Sequence, residues 1–406
     1  MEYKKISDIC YINPENITKN YSKDYINYLD TSNLTKNKID NIVKIKLSDA
    51  PSRAKRIVKI GDILYSTVRP NLCHYGTVQD TLNDTLIVST GYVVLRAKEN
   101  INPIYVYINI TLPEITEKLH SIASSAVSAY PSIKPSDLGD IVIPVPDKSI
   151  QDKIANKYLS IYNKISNNEL MMNDLEHIAK TVFDSYFIDT DNNLNNENSA
   201  GWKHGKLSDL CSFTNGYAFK SKDLKKEPSE GCYKVFKQGN IKTTGGINHE
   251  ATKSYIDSSI SKKMSEKYLL KTGDILMCMT DMKDNVVLLG HTAFMDCDDE
   301  YYVNQRVGLL RAKENIHYGY LYLLTNSTGF LNSLRSKANS GVQVNLSKEA
   351  IEDTPVMIAP DYVYKKFNSI IEPIFNKLCL LSRENIELTN LLEIMMKEEL
   401  NKLGSE

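Results

Sequence analysis

The fold is decided by one stretch, IQDKIANKYLSIYNKISNNELMMNDLEHIAKTVFDSYF, which runs from Ile150 to Phe187. Its apolar residues, with one Asn among them, recur at alternating steps of four and three: Ile161, Ile165, Asn168, Met172, Leu175, Ala179, Val182 and Tyr186. This spacing is the seam of a coiled coil, in which side chains of one helix fill gaps on another. The stretch contains no Pro or Gly and predicts a rod about 60 Å long. Such a rod needs a partner helix of similar length.

A second stretch of the same kind follows Pro360. Its seam residues are Phe367, Ile370, Ile374, Leu378, Leu381, Asn385, Leu388, Leu392 and Met395. The one proline, Pro373, is expected near the start of the helix, because further in it would kink the rod. Either stripe alone could be an ordinary core helix. Two such stripes, each closing one half of the chain, favour an intramolecular coiled coil.

The halves of the chain repeat each other, which is the strongest signal in the sequence. Three pairs of blocks recur in the same order: KISDIC at Lys5–Cys10 with KLSDLC at Lys206–Cys211, KIGDIL at Lys59–Leu64 with KTGDIL at Lys271–Leu276, and LRAKENI at both Leu95–Ile101 and Leu310–Ile316. A seven-residue block repeated unchanged at the matching place indicates a tandem duplication.

Each repeat predicts an α+β globular domain before its long helix. The Gly-Asp of GDIL fits a tight turn between strands at Ile57–Ile60 and Ile63–Tyr65. Further strands are predicted at Thr90–Leu95, Ile141–Pro146, Arg306–Leu310 and Val356–Pro360, and short helices at Tyr105–Asn109 and Tyr320–Thr325. The predicted segments are domains at 1–148 and 201–360, long helices at 149–190 and 361–406, and a polar linker at 191–200.

Composition narrows the class of protein. Net charge is −1, and the seven Cys are scattered without a CxxC pair, so a disulfide framework or zinc site is not expected. No signal peptide or membrane-length apolar run is visible, which fits a reducing cytoplasm without a membrane partner. The long helices are acidic and the domains mildly basic, so the charge pattern permits DNA binding without requiring it.

The search for catalytic motifs gives nothing. Asn102-Pro103-Ile104-Tyr105 is similar to the NPPY of adenine methyltransferases, but it has Ile at the third position and no Gly-rich loop before it. Phosphate-binding, nucleophile-elbow and zinc-protease motifs are absent from the sequence. We therefore expect no catalytic residue, no metal and no cofactor of the chain's own.

Polar and basic loops in both domains are candidates for DNA contact. Arg, Asn and Gln form paired hydrogen bonds with guanine or adenine edges, while Lys mainly neutralises phosphate. For any single Lys, a solvated surface is the better reading. Arg69, Gln238, Asn240 and Arg306 are more strongly indicated, because strand and turn signals surround them. The full candidate set is Lys46, Arg53, Arg56, Arg69, Asn71, Lys220, Lys222, Lys237, Gln238, Asn240, Lys242, Lys283, Gln305 and Arg306.

Several motifs accompany the doubled arrangement: GDIL in both halves, Arg69-Pro70-Asn71 after the first, NGYAFKS at Asn215–Ser221, VFKQGNIKTTGGI at Val235–Ile247 and Ile150-Gln151-Asp152-Lys153-Ile154 at the first helix. Together they resemble the DNA-specificity subunit of type I restriction-modification systems. The family often has Glu-Gln where Ile150-Gln151 stands here, and the second helix has Tyr364-Lys365-Lys366 there.

The resemblance implies a fold and a set of partners. Two tandem target-recognition domains, each followed by a long helix, would each read half of a split, asymmetric site in double-stranded DNA. The helices, paired as an antiparallel coiled coil, would set the spacing and bind two methyltransferase subunits that use S-adenosylmethionine. Motor-nuclease subunits would join them, and the chain itself would be non-catalytic. Asn168 and Asn385 on the two seams would fix the helix register.

Three alternatives stay open at this point. The chain could carry a methyltransferase or nuclease site of its own, although the motifs for one are missing. It could be a coiled-coil scaffold that binds proteins and no DNA. It could also serve a related system in which the methyltransferase and nuclease partner are fused.

Overall fold

The chain divides into two compact units in a computed structural model, which describes residues 2–125, 131–188, 201–243, 245–282, 286–339 and 343–405. The first unit is Met1–Lys164 with Thr389–Glu406, and the second is Ile165–Leu388. Each unit holds one α+β domain and a part of both long helices. The domain boundaries expected from the sequence, at 148, 190, 200 and 360, stay predictions. The predicted linker lies outside the described residues.

The first unit is built from short strands and helices. Its strands are β1 Glu2–Lys5, β2 Cys10–Ile12, β3 Tyr25–Leu29, β4 Leu34–Thr35, β5 Lys38–Ile39, β6 Val43–Lys46, β7 Ala54–Ile57, β8 Ile63–Ser66, β9 Tyr75–Thr77, β10 Leu86–Ser89, β11 Tyr92–Ala97 and β12 Val142–Val145. Its helices before the long one are α1 Ile6–Ile9, α2 Pro103–Ile110, α3 Pro113–Ser125 and α4 Pro135–Gly139. The sheets have strand orders β6-β3-β10-β7, β2-β11-β8-β9, β1-β12 and β4-β5.

The central strands of the first unit are buried on both faces. Ile63 and Tyr65 of β8 enter one apolar cluster with Val93, while Leu64 enters another with Val94. Successive side chains of a strand point to opposite faces, so each strand supplies two cores. This explains why β8 and β11 appear in the sequence as continuous apolar runs.

The Gly-Asp turn joins two different sheets. Gly61 has φ +87° and Asp62 accepts a hydrogen bond from the Lys59 amide at 2.8 Å. Strand β7 ends at Ile57 and pairs with β10, whereas β8 pairs with β9 and β11. The strand expected at Ile57–Ile60 is therefore wrong beyond Ile57: the strand is Ala54–Ile57, and the Asp62 carboxylate holds Lys59 in the turn that follows.

The second unit repeats this plan. Its strands are β13 Lys203–Lys206, β14 Cys211–Asn215, β15 Tyr233–Phe236, β16 Tyr255–Ile256, β17 Ile275–Cys278, β18 Thr280–Met282, β19 Thr292–Phe294, β20 Tyr301–Val303, β21 Val307–Ala312, β22 Gln343–Asn345 and β23 Pro355–Ile358. Its short helices are α6 Leu207–Leu210, α7 Ser258–Ser261, α8 Tyr318–Thr325, α9 Thr328–Arg335 and α10 Lys348–Glu352. The order β14-β21-β17-β19 matches β2-β11-β8-β9, and β13-β23 matches β1-β12.

The long helices form the predicted antiparallel coiled coil. The first, α5, spans Lys148–Phe183 and continues as a π-helical turn at Asp184–Ile188; the second, α11, spans Asp361–Ser405. In the second unit, Asn168 bonds to Asn385 at 2.8 Å and the Phe183 ring lies 6.3 Å from that of Phe367. In the first unit, Lys157 pairs with Glu399. Numbers rise along one helix as they fall along the other, so the helices run in opposite directions.

Pro373 lies well inside the second long helix, so the expectation of a place near its start is wrong. The helix begins at Asp361, directly after Pro360. Ile371 and Phe375, on either side of the proline, are fully buried and hold the chain helical where one backbone hydrogen bond is lacking.

Among the described residues, no helix combines the length and the apolar character that a bilayer crossing requires.

Candidate nucleic-acid interface

In each unit, the aspartate of the GDIL block forms an ion pair with the arginine of the LRAKENI block. Arg96 donates to both carboxylate oxygens of Asp62 at 2.8 and 2.7 Å, and Asp62 is 1% exposed. Arg311 donates to both oxygens of Asp274 at 2.8 and 2.9 Å. Hydrogen bonding to these carboxylates raises the pKa of both arginines. The pair explains why GDIL and LRA recur together, because one block supplies the carboxylate and the other the guanidinium.

Beyond this pair, both units build the same surface turn. In the first unit, the Thr67 amide donates to the Gly91 carbonyl at 2.8 Å, and the Thr67 carbonyl accepts from the Ile133 amide at 2.9 Å. We call Thr67–Asn71 with Thr90–Gly91 the first edge.

The second unit forms the equivalent turn with different residues. The Met279 amide donates to the Arg306 carbonyl at 3.2 Å, and the Met279 carbonyl accepts from the Leu346 amide at 3.0 Å. We call Met279–Met282 with Asn304–Arg306 the second edge. Since backbone groups make the hydrogen bonds in both cases, the side chains of the two edges are free to differ.

Two of the predicted first-unit residues, Arg69 and Asn71, lie at the first edge, and Arg53 borders it. Arg69 is exposed and has φ +46°, and its amide donates to the Pro131 carbonyl at 3.0 Å. Asn71 is exposed in the next turn. Arg53 accepts a hydrogen bond from the Thr90 amide at 2.8 Å through its carbonyl, and its guanidinium contacts Asp30 at 3.2 Å.

The other two predicted residues of the first unit lie elsewhere. Lys46 is exposed at the end of β6, opposite Tyr25. Arg56 lies in β7 and is half-buried, with Nη1 donating to Asn16 at 3.3 Å. Burial lowers the pKa of Arg56. Its guanidinium is therefore engaged inside the unit.

At the second edge, Gln305 and Arg306 are both exposed, and Gln305 lies beside Tyr217. The Gln305 amide donates to the Tyr217 carbonyl at 2.9 Å. A Cβ on Gly216 would lie 2.1 Å from the Asn304 carbonyl oxygen, so only glycine lets the two segments approach this closely.

Tyr217 lies beside the second edge and is not among the residues that the sequence indicated. Its ring is 36% exposed and packs against Phe219 and Tyr268, with centroids 5.0 and 5.3 Å away. An aromatic residue after a glycine in a polar loop was the signal available for it.

Gln238 joins the second edge through a side-chain hydrogen bond. Its Oε1 accepts from the Thr280 hydroxyl at 2.7 Å. Lys237, nearby in sequence, donates from Nζ to the Ser254 hydroxyl at 2.6 Å. Both side chains are partly exposed.

Asn240, in contrast, is an interior residue. It is 1% exposed; its amide nitrogen donates to the Asn248 carbonyl and the Thr252 hydroxyl, and its oxygen accepts from the Lys237 amide. The side chain fixes a turn and offers no free edge to a base. Lys220, Lys222 and Lys242 are exposed, and Lys283 lies outside the described residues.

A family comparison matches both repeats of the chain. The family is described as the type I restriction modification DNA specificity domain, and it matches residues 1–177 and 199–390. The chain belongs to this family. The resemblance seen in the sequence is confirmed, and this specificity protein carries two copies of the family domain in tandem.

Two relatives and one solved structure are similar to this chain. The chain is 32% identical over 165 residues to the type I restriction enzyme HindI specificity subunit of Haemophilus influenzae, a match covering 40% of this chain and 36% of that subunit. It is 24% identical over 310 residues to the MjaIX specificity subunit of Methanocaldococcus jannaschii, covering 72% and 67%. The S subunit structure from M. genitalium, at 12% identity, aligns with a TM-score of 0.56 over 98% of this chain and 96% of that chain, which shows a shared fold.

Proposed function

We propose that this specificity protein is the DNA-reading subunit of a type I restriction-modification complex. Each unit reads one half of a bipartite, asymmetric site in double-stranded DNA. The observation that carries the proposal is the pair of edges: one backbone arrangement is used twice and presents unlike side chains each time. A shared frame with different side chains is what two unlike half-sites require.

The candidate contacts divide by chemistry. Arg69 and Asn71 on the first edge and Gln305 and Arg306 on the second are suited to base edges, as are Arg53, which borders the first edge and also contacts Asp30, and Gln238, which bonds to Thr280 of the second. The exposed lysines Lys46, Lys220, Lys222 and Lys242, with Lys237 and Lys283, are suited to phosphates, which position a protein on the duplex. Asn240 is engaged in the interior, and the half-buried Arg56 binds Asn16, so we assign both a role in the fold of their units.

Catalysis is assigned to partners. We propose that the chain has no enzymatic activity and no cofactor, and that two methyltransferase subunits with S-adenosylmethionine modify adenine. Motor-nuclease subunits complete the complex. The long helices provide the binding surface for the methyltransferases and set the distance between half-sites. The supporting observation is that each helix continues without a break through both units.

Methylome sequencing of a host with and without this chain, with its methyltransferase partner present in both, tests the proposal. We expect a bipartite adenine-methylation motif that appears only with the chain. Replacing residues 201–360 with the equivalent domain of a relative should change one half-site and leave the other intact. Absence of any chain-dependent motif, or a change in both half-sites, would contradict the proposal.

A further inference from the structure

Most arginine side chains of this chain bind an acceptor within their own unit. The sequence has eight, at positions 53, 56, 69, 96, 306, 311, 335 and 383. Six of them bind acceptors within their own unit: Arg53 binds Asp30, Arg56 binds Asn16, Arg96 binds Asp62, Arg311 binds Asp274, Arg335 binds the Leu289 carbonyl and Arg383 binds the Asp296 carbonyl. Among the described residues, only the Arg69 and Arg306 side chains have no such acceptor. One belongs to each unit, and each lies at its unit's edge.

The two arginines stand on opposite arms of the equivalent turns. The matching hydrogen bonds make Thr67 equivalent to Met279 and Gly91 equivalent to Arg306, so Arg69 is equivalent to Asp281. The first unit therefore presents its arginine from the segment after GDIL, and the second from the segment before β21. The two arginine side chains therefore extend from different segments of the same backbone arrangement.

Neither unit can carry its arginine on the other arm without a local change. A Cβ on Gly91 would lie 2.7 Å from the Thr31 methyl carbon, so the first unit has no room for a side chain there. In the second unit, the Asp281 carboxylate accepts from the amides of Val287, Leu288 and Leu289 at 2.9, 2.7 and 3.1 Å. An arginine in its place would leave these amides without their acceptor.

The backbone holds each arginine in place. Arg306 is fixed by its carbonyl to Met279 and by its amide, which donates to the Asn304 side chain at 3.3 Å. Arg69 has φ +46° and precedes Pro70, a conformation that is costly for a residue with a side chain. Strain of this kind is typical of functional positions.

We propose that Arg69 and Arg306 are the guanine-reading residues of the two half-sites, one in each. The proposal rests on the DNA-reading function above and assigns the base. The planar fork of an exposed guanidinium matches the O6 and N7 acceptors of guanine in the major groove, whereas lysine makes a point contact with phosphate. The backbone hydrogen bonds of Arg69 and Arg306 fix the point on each unit from which the guanidinium reaches a base.

The test uses the chain in complex with its methyltransferase partner. Arg306→Ala should relax the methylation motif at one guanine of one half-site, and Arg69→Ala at one guanine of the other. Loss of a paired contact should reduce discrimination at that position by roughly 5- to 150-fold. Duplexes carrying the wild-type motif with 7-deazaguanine, which lacks N7, at that position should bind the wild type less tightly and the variant no less tightly than the natural duplex.

Matched controls separate base reading from other roles. Lys222→Ala should weaken binding to all duplexes without relaxing any position. Arg69→Gly should melt no lower than the wild type, because glycine accepts the left-handed conformation, and should still relax its half-site. If Arg306→Ala behaves like Lys222→Ala, if neither arginine variant relaxes a guanine, or if one relaxes both half-sites, the assignment is overturned. A wild-type complex that methylates no bipartite motif would instead contradict the proposed function itself.

Discussion

At the residue scale, the repeated blocks are explained by charge pairing. Asp62 and Asp274 each accept both a guanidinium and a backbone amide, so one carboxylate fixes a turn and joins two strands. Removing one partner of a buried pair leaves the other charge without compensation, which costs more than the pair contributes. The blocks are therefore retained in both repeats, while the edges between them diverge.

Asp62→Asn tests this frame. We expect the free energy of unfolding to fall by about 2 kcal/mol, since Arg96 loses its paired hydrogen bonds to the buried Asp62 carboxylate and keeps only its ion pair with Glu15. Urea denaturation gives the measurement. Asp140→Asn is the matched control, because it breaks the exposed pair with Lys5 and should leave the unfolding midpoint unchanged. Equal effects of both changes would show that the inner pair is not special.

Glu176, on the first long helix, gives a pH-dependent prediction. Burial raises the pKa of Glu176 to about 7, and Lys242 opposes this shift. The folded state therefore binds a proton that the unfolded state releases between the ordinary value of 4.5 and about 7. The contribution of this proton to the free energy of unfolding is fully present below pH 4.5 and is lost as the pH rises through about 7.

Glu176→Gln should remove this dependence. At pH 8 the variant should be more stable than the wild type by roughly 2 kcal/mol, because no charge is buried. At pH 4 the two proteins should unfold at similar temperatures. Thermal melting across this range provides the measurement, and a variant that is less stable at pH 8 would show that the Glu176 charge is stabilising.

At the element scale, the long helices are held together by both packing and polar contacts. Asn168 is 1% exposed and donates to Asn385 and Glu384 at 2.8 Å each, while Asn385 donates to the Ile165 carbonyl at 3.4 Å. An asparagine pair on a coiled-coil seam, here with Asn168 buried and Asn385 partly exposed, restricts which residues can lie opposite each other, at some cost in stability.

The asparagine pair can be tested by substitution. Asn385→Leu should destabilise the protein by about 1–3 kcal/mol, because it leaves the Asn168 amide without one of its acceptors. Changing both to Leu should restore or raise stability and weaken the register. Cysteine pairs placed at matching and shifted positions report the register by disulfide formation. If the double variant forms only the matching disulfide, the pair does not fix the register.

At the scale of the whole molecule, the helices are the proposed measure of the gap between half-sites. Seven residues inserted into each helix beside Asn168 and Asn385 would keep the seam and add about 10 Å, which corresponds to about three base pairs. Methylome sequencing should then show a longer gap with the same half-sites. The same insertion in the 191–200 segment should leave the gap unaltered. An unaltered gap in both proteins would refute the role of the helices.

The sequence by itself determined the duplication, the α+β class, the two long helices and the family, because these follow from repeated blocks and from apolar spacing along one chain. It also selected Arg69 and Arg306. Only the tertiary structure decided that Asn240 is interior, that Arg56 is engaged by Asn16, and that Tyr217 lies beside Gln305. Exposure and hydrogen-bond partners depend on residues distant in sequence, so no local pattern could separate an arginine of the frame from one at an edge.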